Sequence, residues 1–391
     1  MVRKNTIVVG YISGDCLYRH NLDHFNDKHQ GQVFLPSRIS GDQKVDIVPG
    51  TAEQYTKFVN NLNGDLKSMV SGGGGKNSQE AFKTLGVPCY YVDTCTRPDF
   101  ATNLTQENSY FGGVAYPGLS LVIPTTEAGG AGTFILKSGR GDINQELRPE
   151  FESEVTRLLN QGGDVLVSSI SSEPLANLIA NNKSRGDLYT VITTYLPKEG
   201  EGLNDLLRNA RANIFSFKEF YWALDDDVKY QHLASEPFNE DKAKEIAHDM
   251  HLFAHDRKIV GSLMVTLGQH GAIHYYRNNG KSKSWIHLKE EVKSNIQDFL
   301  KERNQDTKSA GDKFTAGAIN ALQKSKSLEE AVMIGSKFAI ENVLKYPNIS
   351  EQDFEIDFFS QKNRRHYHSD GRPRKTNRIP LSSKEEVVTS M

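Results

Sequence analysis

Short apolar, β-branched segments alternate with longer segments of helical periodicity along much of the chain. Between residues 150 and 217 the predicted order is helix, strand, helix, strand, helix, strand, with strands at 165–167, 190–193 and 214–217. Short strands that are apolar throughout are typical of parallel sheets covered by helices on both faces. The pattern therefore predicts an α/β fold built on a doubly wound, mostly parallel sheet.

A further helix is predicted over residues 241–256. Its inward face has apolar residues at helical spacing, namely Ile246, Met250 and Phe253. Histidines at positions 248, 251 and 255 lie on the opposite side and could gather a metal ion, but a solvated helix face is the simpler interpretation. Residues 18–65 are polar and irregular, and we interpret the histidines and aspartates between positions 20 and 29 in the same way.

The composition is that of an ordinary globular protein. The chain has 391 residues, of which 37% are hydrophobic and 25% charged, so it can bury one large core or two modest ones. Its apolar runs are far shorter than the ~20 residues that span a bilayer, and no signal-peptide pattern follows the first residues. Three cysteines without repeated spacing are typical of free thiols in a reducing compartment. We expect a cytoplasmic protein without a membrane segment.

The segment 306–319, Asp-Thr-Lys-Ser-Ala-Gly-Asp-Lys-Phe-Thr-Ala-Gly-Ala-Ile, combines a small-residue turn with a helix predicted to begin near Asp312. The first amides of a helix lack intrahelical partners and lie at the positive end of its dipole, so this turn can bind a phosphate oxygen. The Asp312 carboxylate would repel phosphate but could accept a proton from an attacking hydroxyl group. The segment therefore indicates phosphoryl transfer to an alcohol, with a simple aspartate helix cap as the alternative.

A glycine-rich turn, Ser-Gly-Gly-Gly-Gly-Lys-Asn at positions 71–77, precedes another predicted helix. It lacks the spacing and the Ser or Thr of a P-loop, and it does not match a dinucleotide fingerprint. Such a turn lets the backbone approach a substrate closely, and Asn77 offers both a donor and an acceptor to hydroxyl groups. A flexible linker is the alternative, although the helical pattern follows directly.

Two more candidate turns follow predicted strands. Residues 6–10 form an apolar strand, and Asp15 lies five residues beyond Gly10. Residues 263–267 form another strand, which continues into the turn Thr-Leu-Gly-Gln-His-Gly at 266–271. Open α/β sheets bind ligands at the carboxyl ends of their strands, so both turns are candidate binding sites. Taken singly, each is also compatible with a plain turn.

Taken together, these motifs resemble the ribokinase-like (PfkB) family of sugar and nucleoside kinases. The resemblance is specific at 306–319, and the other motifs occur in the family's order over most of residues 5–345. It implies a ribokinase-like domain over residues 1–360, in which a doubly wound α/β core is joined to a small β-sheet lid. The lid segments would lie within 11–50 and 89–140.

The resemblance also implies roles for individual residues. Those implied in catalysis are Asp312 as the general base and Ser309, Ala310 and Gly311 as the anion hole. Those implied in substrate binding are Asp15, Gly73, Gly74 and Asn77. Those implied in nucleotide binding are Thr266, Gly268, Gly271 and Asn342. No protein residue is implied as a resident metal ligand.

The activity that the resemblance implies is ATP-dependent and Mg²⁺-dependent phosphorylation of a hydroxyl group on a sugar or related small molecule. A nucleoside kinase of the same fold is one alternative. A non-catalytic binding or regulatory protein is another, because Lys218 and Tyr221 replace the family's Asn-x-x-Glu pair, which is linked to magnesium and phosphate handling. The irregular lid segments have no recognisable pattern from which to choose a substrate.

The remaining expectations concern macromolecular partners. The net charge is −2, so the chain as a whole has no electrostatic reason to bind nucleic acid. Residues 361–391 differ, because seven basic residues and one acidic residue lie within 362–378 without apolar periodicity. This composition predicts a disordered tail, which could contact RNA or an acidic partner but is more simply solvated. A homodimer formed through the lid is a further expectation.

Overall fold

The computed structural model describes residues 5–29, 46–47, 52–95, 97–98, 106–115, 118–124, 131–136, 146–168, 172–192, 201–235, 237–276, 282–303, 310–347 and 349–359. All of these residues belong to one unit, Met1–Phe359. The tail predicted at 361–391 lies outside the described residues.

Strands and helices alternate through most of the described chain. The strands are β1 (Thr6–Gly10), β2 (Ser13–Tyr18), β3 (Asp46–Ile47), β4 (Leu66–Gly72), β5 (Cys89–Cys95), β6 (Ser109–Ala115), β7 (Gly118–Pro124), β8 (Ala131–Leu136), β9 (Asp164–Ser168), β10 (Leu188–Ile192), β11 (Ala212–Ser216), β12 (Ser262–Thr266), β13 (Ala272–Tyr276), β14 (Ser282–Leu288) and β15 (Phe354–Phe358). The helices are α1 (Leu22–His29), α2 (Ala52–Asn63), α3 (Gly74–Thr84), α4 (Pro149–Asn160), α5 (Glu173–Asn181), α6 (Glu201–Asn209), α7 (Phe217–Ala223), α8 (Asp227–Ser235), α9 (Glu240–Asp256), α10 (Glu290–Arg303), α11 (Ala310–Gln323) and α12 (Leu328–Ala339).

The larger sheet has ten strands within the described residues, in the order β15-β14-β13-β12-β11-β10-β9-β1-β5-β6. In this order, the neighbouring strands β6, β5, β1, β9, β10, β11 and β12 are all parallel to one another. The last three strands, β13, β14 and β15, are antiparallel. Parallel strands need crossover connections, and helices lie in the connections from β9 to β10, from β10 to β11 and from β11 to β12.

Helices cover both faces of the larger sheet. Ile7 and Val9 of β1 pack into a core formed with α4, α5, α6 and α9, whereas Val8 between them packs into a core with α3, α11 and α12. Successive strand residues point to opposite faces, so an apolar strand contributes to both cores. This arrangement confirms the predicted doubly wound α/β fold.

The smaller sheet, which we call the lid sheet, has the strand order β3-β8-β7-β2-β4. Strand β2 pairs with β4 in antiparallel and with β7 in parallel fashion. Its strands lie partly within the segments 11–50 and 89–140, but β4 lies between those segments. Strands β5 and β6 belong to the larger sheet. The predicted combination of a core with a small β-sheet lid is confirmed.

The prediction that residues 18–65 are irregular is wrong, because α1 and α2 lie there. Helix α1 packs Leu22 and Phe25 against the lid sheet, and α2 contributes Phe58 and Leu62. The inward face of α1 also includes the polar residues Asn26 and His29, and these interrupt the hydrophobic pattern that would have revealed the helix.

Several predicted boundaries shift by a few residues. The strand predicted at 214–217 is Ala212–Ser216, because the Ser216 side chain caps α7, which begins at Phe217. The helix predicted near Asp312 begins at Ala310. The helix that follows ends at Ala339 and continues as a π-helical segment, Ile340–Leu344.

Cys16, Cys89 and Cys95 are buried free thiols, as predicted. None of the helices formed by the described residues combines the length and the apolar character that crossing a membrane requires.

Candidate active site

The strand order of the larger sheet reverses at β1. The chain runs from β1 to β5 on one side, and later strands begin with β9 on the other side. Ligands of open α/β sheets bind at the carboxyl ends of the strands at such a switch point. The carboxyl end of β1 is Gly10, which is also where the chain leaves the larger sheet for the lid sheet.

Two glycines bring the start of α3 against the end of β1. A Cβ atom on Gly10 would lie 2.7 Å from the Cα atom of Gly75 and 2.2 Å from the carbonyl oxygen of Ser168. A Cβ atom on Gly75 would lie 2.8 Å from the Cα atom of Gly10. Only residues without a side chain fit this crossing, which holds the glycine-rich turn at the switch point.

Pairing within the lid sheet places the backbone of Asp15 beside the strand that leads into the glycine-rich turn. Strand β2 pairs with β4 so that Asp15 lies opposite Val70 and Ser13 opposite Gly72. Gly73 follows directly and has φ 92° and ψ 148°, a backbone conformation suited to glycine. The substrate-binding residues inferred from the sequence, Asp15, Gly73, Gly74 and Asn77, therefore come from neighbouring stretches of backbone.

The glycine-rich turn passes directly into α3. The backbone N–H of Asn77 donates a hydrogen bond to the Gly73 carbonyl oxygen at 2.9 Å, and Asn77 itself is half-buried. Lys76 is buried, and its ammonium lies 2.6 Å from a carboxylate oxygen of Glu80 one turn later. This buried lysine and its carboxylate partner therefore lie where the turn passes into α3.

A buried carboxylate that the sequence reasoning missed fixes the passage from β1 to the lid sheet. Asp93 accepts hydrogen bonds from the backbone N–H groups of Ile12 at 2.8 Å and Cys95 at 3.0 Å. The Tyr91 hydroxyl group donates to the same carboxylate at 2.8 Å. Burial raises the pKa of Asp93, although these donors oppose the shift. The sequence signal for this role of Asp93 is a carboxylate within the mostly apolar strand β5.

Helix α11 packs against α3. The two helices share a core in which Phe82 of α3 lies with Phe314 of α11. Burial lowers the pKa of Lys313, and the charges of Glu80, Asp312, Lys345 and Lys76 act on it. Asp312, itself half-buried, therefore lies in the same charged neighbourhood as the glycine-rich turn. Ser309 lies outside the described residues.

A cavity of about 480 Å³ lies beside the first residues of α11. One wall is the turn predicted to bind nucleotide, with Thr266, Gly268 and Gly271, and another includes Ala310 and Gly311. The remaining described lining residues are Gln269, Leu288, Lys293, Ile296, Gln297, Phe314, Ser336, Ala339, Ile340, Leu344 and Phe354. The structure thus brings the 266–271 turn and the helix start together across one mostly apolar space.

The 266–271 turn depends on glycine. Gly268 has φ 59° and Gly271 has φ 85°, both in the region that favours glycine. A Cβ atom on Gly271 would also lie 2.1 Å from the carbonyl oxygen of Ile286. The turn is closed by a hydrogen bond from the Leu267 N–H to the Gly271 carbonyl oxygen at 2.8 Å. Its backbone is therefore held in one conformation at the cavity wall.

Asn342 lies in the π-helical segment along the same cavity. Its side-chain amide donates to the carbonyl oxygen of Phe338 at 3.0 Å. The neighbouring apolar residues Ile340 and Leu344 line the cavity. The segment therefore borders the cavity, but Asn342 is not among the described lining residues, and its side-chain amide is bonded to its own helix.

Tyr221 and Lys218 occupy the first turns of α7, directly after β11. Tyr221 is fully buried, and its hydroxyl group donates to Asp249 at 2.7 Å, while Asp249 also pairs with Lys229 at 2.7 Å. Burial and Asp249 together raise the pKa of Tyr221. Tyr221 is therefore part of the core on this side of the sheet, whereas Lys218 is exposed.

Magnesium in phosphoryl-transfer sites is held by one or two carboxylates together with phosphate oxygens and waters. Within the described residues, no three His, Cys, Asp or Glu side chains are grouped around a metal position. On α7, Glu219 accepts a hydrogen bond from the backbone N–H of Ser216 at 3.2 Å as part of a capping box. Mg²⁺ carried by the phosphates of a nucleotide would not need such a group of protein ligands.

Comparison with known proteins gives a family match. The sequence profile of the family described as pfkB family carbohydrate kinase matches residues 68–352. A search of curated protein sequences gave no match.

Solved structures with the same fold include kinases of several organisms. Arabidopsis thaliana ribokinase, complexed with ribose and ATP, has a TM-score of 0.56 at 15% identity, over 88% of this chain and 93% of that chain. A probable sugar kinase from Rhizobium etli has a TM-score of 0.54 at 15% identity, over 87% and 92%. Phosphofructokinase-2 from Escherichia coli, complexed with fructose-6-phosphate, has a TM-score of 0.53 at 16% identity, over 88% and 95%. At these identities the likeness establishes a ribokinase-like fold.

Proposed function

Because the chain belongs to the pfkB family of carbohydrate kinases, we propose that it transfers the γ-phosphoryl group of ATP to a hydroxyl group of a sugar or related small molecule. The observation that supports this most is the cavity shared by the 266–271 turn and the first residues of α11. A nucleotide in that cavity would point its phosphates towards a helix start, where unpaired amides and the helix dipole favour negative charge. The structural neighbour from Arabidopsis was solved with ribose and ATP, the same pair of ligand classes.

The chain's own residues divide the reaction between them. The acceptor sugar would lie at the end of β1, held by Asp15, Gly73, Gly74 and Asn77. Asp312 would remove the proton from the attacking hydroxyl group, and the amides of Ala310 and Gly311 would bind oxygens of the transferred phosphoryl group. Mg²⁺ bound with the nucleotide would neutralise phosphate charge. The packing of α3 against α11 would align the two substrates for the reaction.

The substitution Asp312→Asn tests the proposed base. Phosphoryl transfer should fall about 10²- to 10⁴-fold, because a positioned general base contributes a factor of this size. ATP affinity and thermal stability should stay near wild-type values, since the two side chains have nearly the same shape. Asp241→Asn is the matched control, because Asp241 lies exposed in the first turn of α9. Wild-type turnover in Asp312→Asn would show that Asp312 is not the base.

A non-catalytic binding protein is the second candidate, and the buried Tyr221 favours it. Tyr221 has a phenol where the family has a glutamate linked to magnesium handling, and its hydroxyl group is bonded to Asp249 in the core. An ATP-consumption screen over sugars and nucleosides with Mg²⁺ separates the two candidates. Turnover of any acceptor supports the kinase, and the identity of that acceptor decides between a sugar kinase and a nucleoside kinase. ATP binding without turnover of any acceptor supports the binding protein.

A further inference from the structure

The cavity assigned to nucleotide contains one charged side chain among its described lining residues. Lys293 lies in the wall formed by α10, together with Ile296 and Gln297. Residues three and four apart share a helix face, so these three present one surface to the cavity. The other described lining residues are apolar, glycine or uncharged polar.

We propose that Lys293 binds a phosphate group of the nucleotide, which makes α10 part of the nucleotide site; this rests on the proposed function. A nucleoside polyphosphate has several negative charges, and burying them in a mostly apolar cavity is costly unless a cation faces them. Hydrogen bonds between an ammonium group and phosphate are stronger than those between neutral groups.

Two observations place Lys293 close to the 266–271 turn. Gln297, one turn further along α10, donates through Nε2 to the side-chain oxygen of Gln269 in the turn at 3.2 Å. The charge of Lys293 also contributes to lowering the pKa of His270, after the larger effect of burial. His270 belongs to the same turn, so the charge of Lys293 reaches the cavity wall along which the phosphates would lie.

The partner of Lys293 in the structure is easily replaced. Its ammonium lies 3.0 Å from a carboxylate oxygen of Glu290, whose side chain is 78% exposed, compared with 19% for Lys293. Ion pairs with exposed partners contribute little to stability because water screens them. A phosphate group inside the cavity would therefore compete well with Glu290 for this ammonium.

The test is titration calorimetry on the full chain with ATP, ADP and adenosine. Lys293→Met should weaken ATP and ADP binding about 10- to 100-fold, the range expected for a hydrogen bond to a charged group. Adenosine binding should not change, because adenosine has no phosphate. Lys293→Arg should keep most of the affinity for ATP. Lys289→Met is the matched control, because Lys289 is exposed and precedes α10.

A second variant works in the opposite direction. Glu290→Gln removes the competing carboxylate from an exposed position, so ATP should bind about two- to threefold more tightly. This variant keeps the proposal testable even if Lys293→Met does not fold, since an unchanged ATP affinity in Glu290→Gln would then count against it.

The outcomes separate this inference from the proposed function. Equal affinities of wild type and Lys293→Met for ATP would overturn the role of Lys293 while leaving nucleotide binding in place. Equal losses for ATP and adenosine would overturn it too, because they would indicate a change in cavity shape. If the wild-type protein bound none of the three ligands, the proposed function itself would fail.

Discussion

Gly10 and Gly75 are the residues whose small size most directly shapes the site. They are far apart in the chain, yet each occupies the space that a Cβ atom on the other would need. The glycine-rich turn was expected to approach a substrate, and part of the reason for its glycines is instead the approach of α3 to β1. That reason involves two separate motifs, so neither motif reveals it when read alone.

His274 on β13 leads to a prediction at the scale of one residue. It is fully buried, with Ser284 at 2.9 Å and Glu329 at 3.1 Å from its Nε2 atom. Burial lowers its pKa from 6.5 to about 4, against the opposing effect of Glu329. Between these two values the unfolded chain binds the proton more readily than the folded chain. The stability that His274 contributes is therefore present above pH 6.5 and is lost as the pH falls towards 4.

The expected size of this effect is about 2 kcal/mol at pH 5, from roughly 1.4 kcal/mol per unit of pKa shift. Urea unfolding at pH 7.5 and pH 5 measures it. His274→Asn should reduce the loss of stability between the two pH values, although its stability at pH 7.5 will also be lower. His248→Asn, at an exposed position on α9, should leave the loss unchanged. His29, with a pKa lowered to about 4, contributes with the same sign and remains in both variants.

Among the elements, the 266–271 turn depends on support from neighbouring segments. Trp285 of β14 donates its indole N–H to the carbonyl oxygen of His270 at 2.7 Å. The His270 ring stacks on Phe238 with centroids 4.9 Å apart, and the Trp285 ring stacks on His287 at 4.0 Å. These rings support the turn, and they are not among the described lining residues of the cavity. The wall of the proposed nucleotide site therefore depends on an aromatic residue that does not line it.

Trp285→Phe tests this support. The ring is kept while the N–H donor is lost, which costs about 1 kcal/mol for a typical hydrogen bond. If the turn binds nucleotide, KM for ATP should rise several-fold while kcat changes little, because the residues proposed for proton and phosphoryl transfer lie on α11. Trp222→Phe, on α7, is the matched control. A fall in kcat with unchanged KM would contradict the assignment of the turn to nucleotide binding.

Helices α11 and α12 show a second element-scale dependence. A Cβ atom on Gly317 would lie 3.0 Å from the Cα atom of Gly335, and one on Gly335 would lie 2.7 Å from the carbonyl oxygen of Phe314. The two helices therefore cross almost backbone to backbone. This crossing sets where α11 begins relative to α12, and hence how Ala310 and Ser336 come to line the same cavity.

For the whole molecule, the two proposed substrates belong to different parts of the fold. The residues proposed to bind the acceptor lie where the chain passes from β1 into the lid sheet. The cavity proposed to bind nucleotide lies between the carboxyl end of β12 and the helices α10, α11 and α12. A ligand that binds only the folded chain raises its stability by mass action, by about 2.7 kcal/mol at a hundredfold excess over Kd. Thermal unfolding can therefore report each ligand separately.

A thermal-shift screen can test whether the chain binds two ligands in separate regions. ATP should raise the melting temperature, and one class among pentoses, hexoses and nucleosides should raise it further in the presence of ADP. The Asp312→Asn variant should show both shifts, because the lost group transfers a proton rather than anchoring either ligand. A shift with ATP and none with any acceptor would favour the binding protein over the kinase. Sedimentation of the same samples tests the predicted homodimer.

The sequence by itself determined the fold class, the parallel sheet with its helical connections, and the order of the motifs that identify the family. These features depend on residues close together in the chain, because strand and helix periodicity and the chemistry of glycine turns are local properties. Helix α1 of the lid region was not predicted, because its buried face includes Asn26 and His29, which only the packed lid sheet explains. Helix α2 differs, since its buried residues Phe58 and Leu62 lie at helical spacing and are a local signal that the sequence does contain.

Only the tertiary structure decided which motifs share a site. The cavity between the 266–271 turn and Ala310, the contact of Gly10 with Gly75, and the position of Lys293 all join residues from separate elements. The first two follow from how helices cross the ends of the strands, and the third from α10, whose sequence resembles no motif. Distances across a core depend on the packing of side chains from many segments at once, and no single segment of the sequence specifies that packing.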